Sequence, residues 1–482
     1  MNNEEIQKVS LNESIIEGRA DINKYNTTFY NPAQKTNRDI SVLVIREYFK
    51  DKECVKILDA MSATGLRGIR YLKEIQNSKV YFNDLNPKAI ECIKENLIRN
   101  GLHENDIGMH KDNYEKIRDS KNQTNIIKSD CNLLMCSLTG FFDVIDIDPF
   151  GGCPLYIDNA FRAIKHNGLL CFTCTDKGVL CVNEEKCFVK YSTTILKGFS
   201  KHETPLRVVL SLISRQASKF DCSIEPLVSL SLDFYIRVFV RVKKNNPKSV
   251  ITTNSLFMLC KCSNFYPVVS QKRKSKAKKI NANENKQEHN EHENENNSLQ
   301  ILDLIKSKDS KNYDELLRVL ENTHNVSFDV CKICQSKMKL CGPFWCDRIH
   351  NKEFVARLLL NEMDERAMVI LKCVFHETDS PFYYEMTNLC SRTKLPCIKL
   401  KDVLYALQNL HFDSSLTHCE ISGFKTNAPL EVIDLLVRIK NEDKDSELFL
   451  PNEEIDKKMD LSFKKGLLIS HLGPLALPDE FQ

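Results

Sequence analysis

Through the first 250 residues, short apolar runs rich in β-branched side chains alternate with stretches whose apolar positions recur at helical spacing. The runs 54–59, 79–83, 125–129, 142–148 and 168–173 read as buried strands. Helical spacing fills 40–49, 87–99, 156–165 and 202–219, and the small-residue turn at 60–65 opens into a further helix. Strand and helix patterns in alternation predict a doubly wound, mainly parallel α/β sheet. Two β-rich runs within 226–242 read as antiparallel edge strands. Residues up to about 25 are polar and suit a docking arm or short strand, and 101–123 read as loop with at most one short helix. Asn37 stands where the helix at 40–49 would need an N-cap.

The second half has a different texture. Stretch 251–350 carries clustered cysteines and a low-complexity insert, 271–298, with almost no apolar residue to bury, for which disorder is the expectation. From 351 to 482 a smaller α+β domain follows, with helical spacing at 351–361, 362–377 and 401–410 and a short strand pair within 412–425, a winged-helix-like order. Residues beyond 440 carry no pattern that fixes an element.

Composition bounds the class. A chain of 482 residues exceeds one small core, and 42% hydrophobic with 28% charged content is ordinary for a globular protein. A net charge of +3 does not argue for nucleic-acid binding, so any basic surface must be local. The N-terminus lacks a signal-peptide pattern and is acidic where a mitochondrial presequence would be Arg-rich. No apolar run is long enough to span a bilayer. The 20 cysteines are therefore expected as reduced thiols, with metal binding where they cluster.

Candidate chemistry sits at the strand ends. The strand at 142–148 stops in Asp148-Pro149-Phe150-Gly151, because Pro149 cannot donate to a ladder. A carboxylate, a proline carbonyl and an aromatic face are delivered together where open α/β sheets bind ligands. A flat group with an exocyclic amine would be satisfied by all three, although a plain β-turn fits the tetrapeptide alone. Asp59 leads into Ala60-Met61-Ser62-Ala63-Thr64-Gly65, a turn that admits close backbone approach and opens a helix with free N–H donors. About 20 residues after that turn, the next strand ends in Asp84, the placing that grips ribose hydroxyls. Asp130, at the third strand tip, can accept from an adenine amine or merely shape a turn. The glycine spacing of a dinucleotide fold is absent, which disfavours NAD and FAD.

Four strand tips in order thus carry Asp-x-x-x-Ala-x-Gly, Asn-Asp-Leu, Ser-Asp-Cys-Asn and Asp-Pro-Phe-Gly, a succession that resembles class I S-adenosylmethionine-dependent methyltransferases. More narrowly the chain resembles the tRNA (guanine-26-N2)-dimethyltransferases, through Phe29-Tyr30-Asn31-Pro32 with Asn37-Arg38-Asp39, Thr64-Gly65-Leu66-Arg67-Gly68-Ile69-Arg70, Thr175-Asp176, Cys341-Gly342-Pro343-Phe344-Trp345 and Thr417-His418 with Lys425-Thr426-Asn427-Ala428-Pro429. The resemblance implies a methyltransferase domain over 1–250 and a tRNA-binding C-terminal domain. It implies that Arg38 and Arg67 contact the cofactor's methionine carboxylate or nearby oxygens, that Asp84 takes the ribose, and that Asp130 and the Cys131 backbone read the adenine. Asp148 would receive or align the guanine amine proton, the Pro149 carbonyl would hold the second N–H, and Phe150 would stack on the base. Arg38 at a helix start opposes the helix dipole, which suits either a ligand-facing residue or a surface arginine.

Arg237 and Arg241 alternate with apolar residues and read as exposed-face arginines. His418 and Lys425 read equally well as RNA contacts or as packed and surface residues. Cys331-x-x-Cys334 is a zinc half-site, and Cys260 with Cys262, one residue apart rather than two, would be the other half. The resemblance implies a zinc site here, as in relatives of the eukaryotic type, so zinc is favoured over four reduced thiols. The basic run 272–279 suits nuclear import, tRNA attraction or a solvated linker, leaving nucleus ahead of cytoplasm. No obligate protein partner is evident, and a monomer is expected. An amino-methyltransferase acting on another substrate, and a non-catalytic RNA-binding protein, are the competing readings.

Overall fold

A computed structural model describes residues 13–459 apart from 25–28, 112–113, 246–249, 269–305, 307, 309 and 322–328. The insert 271–298, with its basic run, lies outside the described residues. The organising element is an eight-stranded sheet built from β3 (Val55–Asp59), β4 (Ser78–Asp84), β5 (Ile107–Lys111), β6 (Thr124–Lys128), β7 (Phe142–Ile147), β8 (Ile164–Cys174), β9 (Cys222–Leu232) and β10 (Tyr235–Lys244). Their spatial order is β5-β6-β4-β3-β7-β8-β10-β9. Pairings from β5 through β8 are parallel, whereas β8–β10 and β10–β9 are antiparallel. The order reverses between β3 and β7, which opens a crevice at their carboxyl ends.

The parallel strands are covered on both faces, so they read as unbroken apolar runs. One core gathers Ile57, Val80, Phe82, Val144 and Phe239 beneath α1 (Lys35–Tyr48), α2 (Leu66–Glu74) and α3 (Pro87–Arg99). The other gathers Leu58, Tyr81, Phe142, Ile145 and Phe172 beneath the helices Ile157–Ala163 and Thr204–Ser218. Packing is close: a Cβ at Gly68 of α2 would overlap the Phe82 ring.

Several expectations are corrected. Helix α1 starts at Lys35, so Asn37 lies buried in its first turn and is not the N-cap; Asn31 instead caps the short 3-10 turn before it, accepting from the Ala33 N–H. The stretch 101–123 contributes the edge strand β5 as well as a helix, α4 (Tyr114–Asp119). The polar arm forms the hairpin β1 (Glu13–Glu17) and β2 (Ala20–Lys24). Its Glu17 is buried and grips Arg38 through both carboxylate oxygens, at 2.7 and 2.6 Å. Burial works to raise the Glu17 pKa, but Arg38 and Arg70 together hold it below its ordinary value.

Beyond the sheet, β11 (Asn254–Leu259), β12 (Phe265–Val268) and β13 (Lys339–Trp345) form a small antiparallel sheet in the order β12-β11-β13. The C-terminal unit runs helix Glu365–His376, β14 (Tyr384–Glu385), helices Met386–Thr393 and Leu400–Asn409, then β15 (Ser414–Leu416) and β16 (Gly423–Thr426). Its sheet order is β14-β16-β15.

A buried polar cluster joins this unit to the main sheet. Lys425, fully buried, bridges Glu203 and Glu377 at 3.2 and 3.1 Å, and Arg207 donates to the same Glu203 at 2.7 Å. The N–H groups of Ser229 and Ser231 on the edge strand β9 donate to His350 Nδ1 and His418 Nε2. Two imidazoles therefore occupy acceptor positions along an otherwise open sheet edge. His418 and Lys425 are thus interior residues: His418 follows the packed alternative, and Lys425 is neither an RNA contact nor a surface residue.

Two outcomes follow from these buried charges. Lys425→Met leaves two carboxylates without their shared cation, and chemical denaturation should report a loss of about 3–5 kcal/mol; an unchanged midpoint would contradict the cluster's role. Burial pushes the Asp59 carboxyl at the end of β3 up to about 7, despite Arg67 nearby. A raised carboxyl pKa stabilises the fold most below the ordinary value and loses that contribution as pH climbs through about 7. Asp59→Asn should flatten that part of the stability profile in urea titrations between pH 5 and 8; an identical slope in both proteins would refute the assignment.

Candidate functional site

The crevice between β3 and β7 opens into a cavity of ≈ 710 Å³. Arg38, Arg67, Asp84, Asp130, Cys131, Asp148, Pro149 and Phe150 all line it, although they come from five separate segments of the chain. Each carboxylate is placed by the end of its strand. Asp84 closes β4 and accepts backbone N–H bonds from Ala63 and Asn86, both at 2.9 Å. Burial raises its pKa, and those backbone donors partly offset the rise. Asp130 caps the helix α5 (Cys131–Ser137), its Oδ1 accepting from Asn132 and Leu133 at 2.9 and 3.0 Å. That cap explains why an Asp ends β6, and it directs the Cys131 main chain at the cavity rim. Burial pushes the Cys131 thiol up to about 12, so it stays protonated.

The turn between β3 and α2 supplies the cavity floor. Ala63 and Gly65 adopt positive φ of 48° and 79°, a conformation that Gly65 takes at no steric cost. The turn thereby brings Ser62, Ala63 and Thr64 against the cavity and aims the start of α2 into it.

The two arginines differ in their partners. Arg38 is held by Glu17 and donates to the Asn31 carbonyl at 3.1 Å, with Tyr30 stacked 5.4 Å from its guanidinium. Its position against the helix dipole is therefore compensated by Glu17, and it still borders the cavity. Arg67 is buried and bridges Asp148, which its Nη2 contacts directly, and Asp146, at 3.5 Å from Nη1. Asp148 is 22% exposed, so one carboxylate side is anchored while the group stays accessible.

Pro149 is buried, while Phe150 is 53% exposed at the cavity mouth. Gly151 N–H donates to Thr175 Oγ1 at 3.0 Å, and Thr175 N–H returns a bond to the Gly151 carbonyl at 2.8 Å. This reciprocal pair fixes the loop that presents Asp148 through Phe150. Phe29 meets Phe150 edge to face, ring centroids 5.0 Å apart. Its role was not singled out from sequence; its place in Phe-Tyr-Asn-Pro was the available signal.

Arg237 requires a correction. It is fully buried and forks onto both oxygens of Asp146 at 2.7 Å each. Arg241 is half-buried and bonds Asn167 at 3.0 and 2.8 Å.

A second centre lies apart from the cavity. The sulfurs of Cys260, Cys262, Cys331 and Cys334 lie within 4.8 Å of one another, with Cys260–Cys334 at 3.3 Å and Cys262–Cys331 at 3.5 Å. These separations exceed a disulfide bond, and four sulfurs this close could hold one tetrahedral zinc. Cys341 and Cys346 stand outside the group.

Comparison with known proteins agrees with this fold. Residues 4–438 match the family model described as N2,N2-dimethylguanosine tRNA methyltransferase. The chain is 31% identical to the mitochondrial tRNA (guanine(26)-N(2))-dimethyltransferase of Saccharomyces cerevisiae, covering 90% of this chain and 80% of that protein. It is 28% identical to the tRNA (guanine(26)-N(2))-dimethyltransferase of Methanosphaera stadtmanae, covering 86% and 92%. Among solved structures, that of Trm1 from Pyrococcus horikoshii with S-adenosyl-L-methionine has the same fold, with TM-score 0.67 at 23% identity over 88% of this chain and 99% of that one. With a family match spanning both the sheet and the C-terminal unit, the chain belongs to the N2,N2-dimethylguanosine tRNA methyltransferases.

Proposed function

We propose that this protein methylates the exocyclic N2 amine of guanine 26 in tRNA, once or twice, using S-adenosylmethionine. The observation that supports this most directly is the convergence of Asp148, Pro149 and Phe150 on one cavity with Asp84 and Asp130. Bound cofactor supplies a sulfonium methyl, an electrophile that needs no further activation. Asp84 accepts the ribose hydroxyls on lone pairs left by its backbone donors. Asp130 and the Cys131 main chain read the adenine, Arg38 faces the methionine carboxylate, and Arg67, held by Asp148 and Asp146, borders the same cavity.

The guanine amine is a poor nucleophile because its lone pair is delocalised. Phe150 offers one ring face to the base, with Phe29 beside it. The Pro149 carbonyl and Asp148 accept the two amine protons, which turns the nitrogen lone pair toward the methyl. Arg67 anchors Asp148 Oδ2, so Oδ1 would receive the proton released as the new N–C bond forms and the sulfonium–methyl bond breaks, leaving a neutral thioether. The target base leaves its stack to reach the cavity. The C-terminal helix–strand–helix–helix–strand–strand unit is a winged-helix-like tRNA-binding domain, with exposed Lys394 and Lys399 leading into the helix Leu400–Asn409. The cysteine tetrad holds zinc and ties β11 to the loop before β13. The basic run 272–279 is the feature that supports nuclear residence.

Purified protein with labelled S-adenosylmethionine and unmodified tRNA should yield N2-methylguanosine and N2,N2-dimethylguanosine at position 26. No product there, alongside transfer to a different substrate, would reject the reading. Asp148→Asn should lower kcat by about 10²-fold or more with cofactor affinity retained; full activity would remove Asp148 from the chemistry. Elemental analysis should find about one zinc per chain, lost in Cys331→Ser. A folded, metal-free wild-type protein would reject the zinc site.

A further inference from the structure

Beneath the cavity, charges alternate in sequence through the protein interior. Arg237 of β10 grips Asp146 of β7 bidentately, and its Nη1 also donates to Thr173 Oγ1 of the intervening β8 at 3.0 Å. Tyr71 adds a hydroxyl bond to Asp146. Arg67 reaches Asp146 with one nitrogen and Asp148 with the other. Ser41 Oγ accepts from Arg237 at 2.8 Å and from Arg67 at 3.4 Å, so the two guanidiniums share a fixed partner. Arg237 and Asp146 are fully buried, and the four charges sum to zero.

Asp146 lies in β7 and Asp148 immediately past its end, so two like charges stand close together at the carboxyl end of the strand. Arg67 is the cation between them, and where it rests depends on how fully Asp146 is already neutralised. Asp146 sits in the drier environment, where Coulomb attraction is stronger than at the partly exposed Asp148. Only the bidentate claim of Arg237 on Asp146 leaves Arg67 free to hold Asp148. We propose that Arg237 and Asp146 are positioning residues for methyl transfer: by balancing each other they release Arg67 to fix the Asp148 carboxylate at the cavity. This inference rests on the methyl-transfer reading above, and it extends that reading to residues of the sheet that never meet a ligand.

Arg237→Met leaves Asp146 undercompensated and should draw Arg67 off Asp148. The expected result is a fall in kcat of about 10-fold or more, with KM for S-adenosylmethionine changed by less than about 2-fold. The double variant Asp146→Asn/Arg237→Met removes both charges, returns Arg67 to Asp148, and should recover kcat to within about 3-fold of wild type. A purely structural role predicts the opposite, since a second buried polar group is lost. Should Arg237→Met fail to fold, the double variant decides alone: near-wild-type kcat supports the balance, and a folded, cofactor-binding but inactive protein overturns it. Crystal structures of the wild type and Arg237→Met give a readout independent of turnover. Arg67 moved from Asp148 toward Asp146 supports the inference, and an unmoved Arg67–Asp148 contact overturns it. A wild-type protein that fails on guanine-26 tRNA would instead sink the functional reading, and the two crystal structures would still judge the charge balance.

Discussion

Like charges two residues apart, Asp146 in β7 and Asp148 just past its end, are the constraint around which this side of the cavity is arranged. Asp148 is anchored yet partly accessible, while Asp146 beside it is fully buried. A lone buried carboxylate is costly, so Asp146 is met by Arg237, Tyr71 and Arg67. Burial alone would raise the Asp146 pKa, and the two arginines pull it below the ordinary carboxylate value. The same arginines span three elements, α2, β7 and β10. Sheet, helix and reactive loop are thereby held in one register, which is what an in-line transfer to a delocalised amine requires.

The second half of the chain is fastened to the sheet by a comparable device. The edge strand β9 would expose backbone donors, and His350 and His418 accept from them. Glu377 in turn accepts from His418 Nδ1 at 2.6 Å and from Lys425, and Lys425 reaches Glu203 on the sheet side. Lys425 thus joins Glu377 of the C-terminal unit to Glu203 across the junction. A C-terminal unit anchored this way stands at a fixed distance from the cavity, an arrangement suited to a substrate as long as tRNA.

Much of this was legible in the sequence, for identifiable reasons. The strand tips at Asp84, Asp130 and Asp148 were readable because a buried parallel strand must stop abruptly, and Pro149 marks one stop outright. The cysteine tetrad was readable from Cys331-x-x-Cys334, even with a partner pair of unusual spacing. Arg237 was misread because alternation along a strand signals an exposed face, and a strand buried on both faces can carry a polar residue only with a dedicated partner, here 91 residues away. His418 and Lys425 were open for the same reason: their partners Glu377, Glu203 and Ser231 are distant in sequence. The edge strand β5 was missed because its burial is partial and its Gly108, His110 and Lys111 resemble a loop. Asn37 looked like a cap, whereas the chain begins its helix one short turn earlier, after Asn31-Pro32.

The central claim is spatial: a guanine amine is received between the Asp148 carboxylate and the Pro149 carbonyl, beside a nucleoside gripped by Asp84. A crystal structure with S-adenosylhomocysteine and a tRNA carrying guanine at position 26 tests it most directly. The account predicts the base extruded onto the Phe150 ring, with N2 about 3 Å from Asp148 and from the Pro149 oxygen. A base bound elsewhere, or an N2 out of hydrogen-bonding reach of Asp148, would contradict it.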